Sequence, residues 1–243
     1  MSSTTWTPLA VASEAARWRG SVWRIVEAQH IASTMKIVDT RDEQDVLEGL
    51  LESSKPARPA GTEALHHLLA TPFRYHPLRA GSRFRAVTDP GVYYGAGSVR
   101  TAAAELGYWR WRFLLDAVGL DRLEPVAHTA FKAEIDAPTG IDLRRPPFVA
   151  DAAVWSAPDD YGPTQAFARV ARQAEVDAIV YRSVRDPRPG WCLALLSPRG
   201  FAKPGAPHLQ TQTWFLGATR ERVTWRRDSE EALQFSWPVP GVA

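Results

Sequence analysis

The feature that most limits what this chain can fold into is the alternation at 127–135. Ala127, Thr129, Phe131, Ala133 and Ile135 alternate there with His128, Lys132 and Glu134. That two-residue period belongs to a half-buried strand. Runs at 178–183, 191–196 and 213–225 read as further strands, and none alternates regularly with a helical pattern. Strands therefore outnumber helices and cluster in the C-terminal half, which predicts a mixed α+β domain and not a repeated βαβ unit. With 243 residues the chain can bury a sizeable core, and no repeat, low-complexity tract or linker divides it. Residues 1–20 are small, polar and Ala-rich and read as an arm or loosely attached helix. Residues 21–243 read as one domain.

Helical signals are confined to a few stretches. Thr40-Arg41-Asp42-Glu43 has the form of a capping box, and Val46, Leu47, Leu50 and Leu51 give the following helix an apolar stripe. A short helix is expected over 62–70, another from about Thr101 to Leu120, and a third opening at Gly162-Pro163. Residues 22–40 read as short extended pieces. Arg83-Phe84-Arg85 and Val92-Tyr93-Tyr94 read as two strands flanking a turn at Thr88-Asp89-Pro90-Gly91.

Composition excludes several classes of function. A balance of 29 Lys+Arg against 27 Asp+Glu, net +2, is too even for wrapping nucleic acid, so any anion site must be local. A single cysteine, Cys192, rules out an internal disulfide framework and a thiolate metal cluster. The six histidines form no i, i+4 pair and no HExxH pattern, so no metal site is expected. No G-x-S-x-G elbow is present. Without a basic start, an apolar leader or a run of membrane-spanning length, the expectation is a soluble cytoplasmic protein.

The chemistry concentrates in residues 71–114, where Arg83, Tyr94 and Glu105 follow at intervals of eleven. Arg83 is either an exposed strand arginine or a planar fork for a pyrophosphate. Tyr93 and Tyr94 point to opposite faces, one into the core and the other able to line a cleft. A helix carboxylate such as Glu105 is as a rule solvated and paired along its helix. Here three alanines precede it and the next turn is aromatic, which leaves room for a ligand. Gly95-Ala96-Gly97 imitates a dinucleotide-binding turn, but Arg100 fills the third glycine position, so these glycines are expected to form a reversing turn.

These residues resemble the RES-domain proteins, named for their recurring arginine, glutamate and serine. The resemblance runs through WRIVEAQHIASTMKIVDTRDEQDVLEGLLESSKP, FRYHPLRAGSRF, DPGVYYGAGSVRTAAAELGYWR and YRSVR. It implies that the family's site residues fall on Arg83, Tyr94, Glu105 and Ser183, and that Arg74 and Tyr75 form a second pair near the ligand. Many relatives continue after the serine through a glycine and an asparagine. This chain has Arg185-Asp186-Pro187-Arg188-Pro189-Gly190-Trp191-Cys192 and no asparagine.

What the resemblance implies further is an ADP-ribosyltransferase-like fold with a mostly antiparallel β core flanked by helices. It also implies destruction of NAD as substrate, with no resident cofactor, by the toxin half of a toxin–antitoxin pair. Inorganic phosphate is a possible acceptor. The implied partner is a cognate antitoxin carrying a DNA-binding helix-turn-helix domain, with no direct nucleic-acid or membrane binding by this chain. Two other classes stay open: a transferase placing ADP-ribose on a protein or nucleic acid, and a non-catalytic nucleotide-binding module.

Overall fold

The computed structural model describes residues 5–28, 40–75, 81–202, 209–227 and 231–239. The part of the 22–40 expectation that falls on 29–39 lies outside them. The elements run α1 (Pro8–Ser13), β1 (Ala16–Glu27), α2 (Arg41–Ser54), α3 (His67–Arg74), β2 (Tyr93–Ala96) and α4 (Val99–Asp116). They continue as β3 (Arg122–Asp142), α5 (Ala152–Trp155), α6 (Gly162–Gln173), β4 (Ala178–Arg182), β5 (Trp191–Leu195), β6 (Thr211–Thr219), β7 (Val223–Arg227) and β8 (Glu231–Phe235).

All eight strands form one sheet in the order β1-β2-β5-β4-β3-β6-β7-β8, and β1 also pairs with β3. Strands β1, β2, β5, β4 and β3 thus close into a ring, with β6 to β8 extending from β3. Every pairing is antiparallel except β3 with β4. The expected mostly antiparallel core flanked by helices is what the chain forms.

The alternating segment at 127–135 is the middle of β3, which spans Arg122–Asp142. Its length lets one edge serve β6 near the start and β4 near the end, while the other edge serves β1. Phe131, Ala133 and Ile135 pack with Val22, Tyr93, Val180 and Leu193 in one core. Ala130, Ile179, Tyr181 and Ala194 belong to the other, under α4. His128 departs from the sequence pattern, because β7 covers its face at that point. It is 1% exposed and meets Trp225 edge-on at 5.1 Å between ring centres.

Four further expectations change. The segment before residue 20 is no loose arm: β1 begins at Ala16, Val11 is buried, and Trp6 packs on Phe148 and donates to Asp151 Oδ2 at 3.0 Å. The capping box at Thr40 forms, with Glu43 N–H donating to Thr40 Oγ1 at 3.2 Å and Thr40 N–H to Glu43 Oε2 at 3.1 Å, but Val46, Leu50 and Leu51 of the stripe stay exposed. The helix expected over 62–70 forms later, at His67–Arg74, where His66 Nδ1 caps Leu68 N–H at 3.2 Å.

The fourth change concerns Arg83-Phe84-Arg85, which is a tight turn and not a strand. Ser82 and Arg85 exchange backbone hydrogen bonds of 2.7 and 3.2 Å around it. Gly95 lies inside β2, where a Cβ would come within 2.5 Å of Val22. A Cβ at Gly97 would fall 2.2 Å from the Trp191 indole. These glycines allow close packing more than chain reversal.

Candidate active site

A cavity of about 510 Å³ opens between α4 and the outer face of β1, β2, β4 and β5. It is large enough for a dinucleotide-sized ligand or a substantial part of one. Arg83, Tyr94 and Glu105 all line it. Ser183, one residue past β4, reaches it through Glu105.

Glu105 sits in the second turn of α4, whose first turn is capped by Ser98 Oγ, an acceptor for Thr101 N–H at 3.1 Å. Of the three alanines expected to leave room for a ligand, only Ala102 lines the cavity; Ala103 and Ala104 are buried in the core and instead let α4 lie close on the sheet. Ser183 Oγ donates to Glu105 Oε1 at 2.6 Å, a short bond of the kind a carboxylate acceptor gives. Cys192 Sγ donates to the same oxygen at 3.8 Å. Burial, and then the Glu105 charge, push the Cys192 thiol well above its usual range, so it stays protonated and remains a donor. Glu105 Oε2 has no hydrogen-bond partner among the described residues.

The loop 183–190 is fastened to the start of α4, which fixes the serine against the glutamate. Ser183 N–H donates to Gly190 O at 2.9 Å. Asp186 Oδ2 accepts from Thr101 Oγ1 at 3.0 Å and Asp186 Oδ1 pairs with Arg100 at 3.3 Å. Arg185 lies 3.7 Å from the centre of the Tyr108 ring and donates to Pro158 O.

Arg83 is 8% exposed and held from behind. Its Nη1 donates to Trp155 O and Ala157 O, both at 2.9 Å, and its guanidinium lies 4.8 Å from the centre of the Tyr161 ring. Nε and Nη2 make no hydrogen bond among the described residues. Tyr94 does more than present a ring. Its phenol oxygen accepts from Phe84 N–H at 3.0 Å and shares a 2.8 Å hydrogen bond with Ser82 Oγ, so it pins the turn that carries Arg83. Burial raises its pKa, and the bonds from Ser82 and Phe84 offset this only in part.

Arg74 and Tyr75 lie at the end of α3 and are not among the residues lining the cavity. Arg74 Nε donates to Pro56 O at 2.5 Å.

Sequence reasoning missed Arg24, Tyr161 and Trp109, which also line the cavity. Arg24 Nη1 donates to Tyr94 O at 2.8 Å, its Nε is buried without a partner, and no carboxylate pairs with it among the described residues. Burial lowers its pKa, the signature of a cation held out of water. Arg24 stands in an apolar strand pattern, VWRIV, and an arginine interrupting such a run was the signal available. Tyr161 sits in a loop without periodicity. Trp109, 51% exposed, is one helical turn beyond Glu105.

Two arginines and a carboxylate thus share one cavity without pairing to each other. Such a site suits a ligand with anionic and cationic parts. Among the described residues no group of three or more His, Cys, Asp or Glu could hold a metal, and no helix is long and apolar enough to cross a membrane.

Comparison with known families agrees with the motifs: the RES domain matches residues 55–216, a span containing Arg83, Tyr94, Glu105 and Ser183. The chain belongs to the RES-domain family. The match begins after β1, so the RES domain as matched omits Arg24. Among solved structures, a chain in the crystal structure of the M. tuberculosis MbcT–MbcA toxin–antitoxin complex is similar. The identity is 14%, with 86% of this chain and 91% of that chain covered and a TM-score of 0.45. No curated protein matches the sequence.

Proposed function

We propose that this RES-domain protein binds NAD in the cavity and cleaves its nicotinamide–ribose bond. The observation that carries the reading is the bond from Ser183 to Glu105 Oε1, with Oε2 left without a partner among the described residues in a cavity shared with Arg24 and Arg83. In NAD the leaving group is already a cationic ring and departs neutral, so no strong external acid is needed. The barrier lies in the oxocarbenium-like charge that develops on the ribose, as in glycoside hydrolysis.

Each residue then has a task. Glu105 stabilises the ribosyl cation, accepts from a ribose hydroxyl and orients the incoming water or phosphate. Ser183 and Cys192 hold Glu105 in place, and Ser183 does not attack. Arg83 and Arg24 grip the pyrophosphate. The Tyr94 ring stacks on ribose or nicotinamide, gaining a modest cation–π attraction while the ring is charged. The C–N bond breaks with its electron pair leaving on nicotinamide; a water oxygen then forms the new bond to ribose C1 and releases one proton to solvent, or an anionic phosphate oxygen forms that bond with no proton to release.

The biological reading is the toxin half of a toxin–antitoxin pair acting in the cytoplasm, since an uncontrolled NAD-degrading activity injures the cell that makes it. An antitoxin with a helix-turn-helix domain would close the cavity with a segment of its own. Mass spectrometry of NAD incubated with pure protein tests the chemistry. Release of nicotinamide with ADP-ribose indicates water as acceptor, ADP-ribose 1-phosphate indicates phosphate, and a modified macromolecule indicates a transferase. Intact NAD in every arm would leave a non-catalytic nucleotide-binding module. Expression of the protein alone should halt growth and drain NAD, and co-expression of its antitoxin should restore both.

A further inference from the structure

A second cavity, of about 500 Å³, lies on the opposite face of β4. Strand alternation produces it: Tyr181 lines the first cavity and Ser183 bonds to Glu105 there, whereas Arg182 between them turns to the other side. Leu143, Val149 and Trp155 supply apolar walls, and among the described residues the only charged side chains lining it are Arg144 and Arg182.

The two arginines are differently prepared. Arg144 is fixed by a two-point contact with Asp142, Nε to Oδ1 at 2.8 Å and Nη2 to Oδ2 at 2.7 Å, and lies 5.5 Å from the centre of the Trp191 ring. Asp142 is shared with Arg145 at 3.4 Å, so one carboxylate serves two guanidinia. Arg182 is exposed and has no ion pair or side-chain hydrogen bond among the described residues. The cavity therefore keeps a net positive charge beside apolar walls. A bare inorganic anion would satisfy the charge and leave the walls unused, whereas an apolar ring gains from burial against them.

We propose that this second cavity binds a small phosphorylated ring compound, of nucleoside-monophosphate size, with its phosphate between Arg144 and Arg182. A phosphate monoester carries close to two negative charges near neutral pH and offers oxygens to both guanidinia. The placement gives the site a route to the first cavity. Trp155, a wall of the second, supplies a carbonyl that holds Arg83, and Gly190, another wall, supplies the carbonyl that accepts from Ser183 N–H.

The test is isothermal titration of the full chain with AMP, adenosine and inorganic phosphate, in wild type, Arg182→Glu and Arg83→Lys. AMP should show a binding event that adenosine and phosphate each reproduce at least ~10-fold more weakly, because each lacks half the recognition. That event should weaken at least ~10-fold in Arg182→Glu and stay within about threefold in Arg83→Lys. Circular dichroism and thermal melting check that Arg182→Glu folds, and Arg182→Gln, expected to weaken AMP in the same direction, carries the test if it does not. No AMP binding by wild type, or binding indifferent to both Arg182 variants, would overturn the proposal. So would binding lost in Arg83→Lys alone, which would place AMP in the first cavity. No NAD turnover enters the measurement, so its failure is distinct from failure of the NAD reading.

Discussion

Ser183 Oγ and Glu105 Oε1 meet at 2.6 Å although 78 residues separate them in sequence. The contact depends on Asp186, which ties the loop after Ser183 to Thr101 and Arg100 at the start of the helix carrying Glu105. It therefore reports both the packing of the domain and the readiness of the carboxylate.

Ser183→Ala removes the stronger of two donors to Oε1 and leaves Cys192, a weak one. It also removes the acceptor of Asp186 N–H, 3.1 Å away. Turnover of NAD should fall about 10- to 100-fold, as for loss of one catalytic positioning contact, with stability lower by ~1 kcal/mol. Steady-state kinetics and thermal melting check the two parts separately.

Arg83→Lys keeps the charge and loses the planar fork. In this protein the same guanidinium also bridges Trp155 O and Ala157 O, so a lysine can serve the wall or the ligand but not both. Affinity should drop more for NAD than for nicotinamide riboside, which has no pyrophosphate. Competition binding with the two ligands measures this, and equal losses would show that Arg83 only supports the wall.

Tyr94→Phe keeps the ring and deletes the oxygen that accepts from Phe84 N–H and pairs with Ser82. The Arg83 turn should loosen, at a cost of about 1–2 kcal/mol for a buried group left unpaired. KM for NAD should rise more than kcat falls. A fall in kcat alone, with KM unchanged, would show that the phenol acts in the chemical step.

How much of this was legible in the sequence follows from which forces act locally. The β3 alternation, the Thr40 capping box, the α4 helix and the opposite facing of Tyr93 and Tyr94 all rest on neighbours in sequence, and all appear. Where tertiary packing decides, the reading failed. Trp6 gives no sign in its own sequence of the Phe148 ring it packs on, and nothing near His128 announces that Trp225 covers it. The Arg83 turn was read as a strand because the hydroxyl of Tyr94 that fixes it comes from another element. Arg24 was passed over because a single charge in an apolar strand has no local partner to mark its role.

His128 predicts an acid-sensitive stability. Burial lowers its pKa below the usual histidine value, with the Arg110 charge adding and Glu27 and its bond to Val126 O opposing. Its Nε2 is buried without a partner among the described residues. The unfolded chain then binds a proton more readily than the folded one, so this contribution is present above about pH 6.5 and is lost as pH falls through the lowered folded value. Denaturant unfolding from pH 7.5 to 5 should show falling stability, and His128→Phe should flatten that slope.

The central claim is that the Glu105 carboxylate drives cleavage of NAD. Glu105→Gln keeps the shape of the side chain and its place beside Ser183 while removing the charge. The most direct measurement is nicotinamide release from NAD by wild type and Glu105→Gln, side by side, with circular dichroism confirming that both fold. Release should fall by at least ~10²-fold in the variant, the scale of one preorganised electrostatic contact. Release within about threefold of wild type, or none by wild type, would contradict the account.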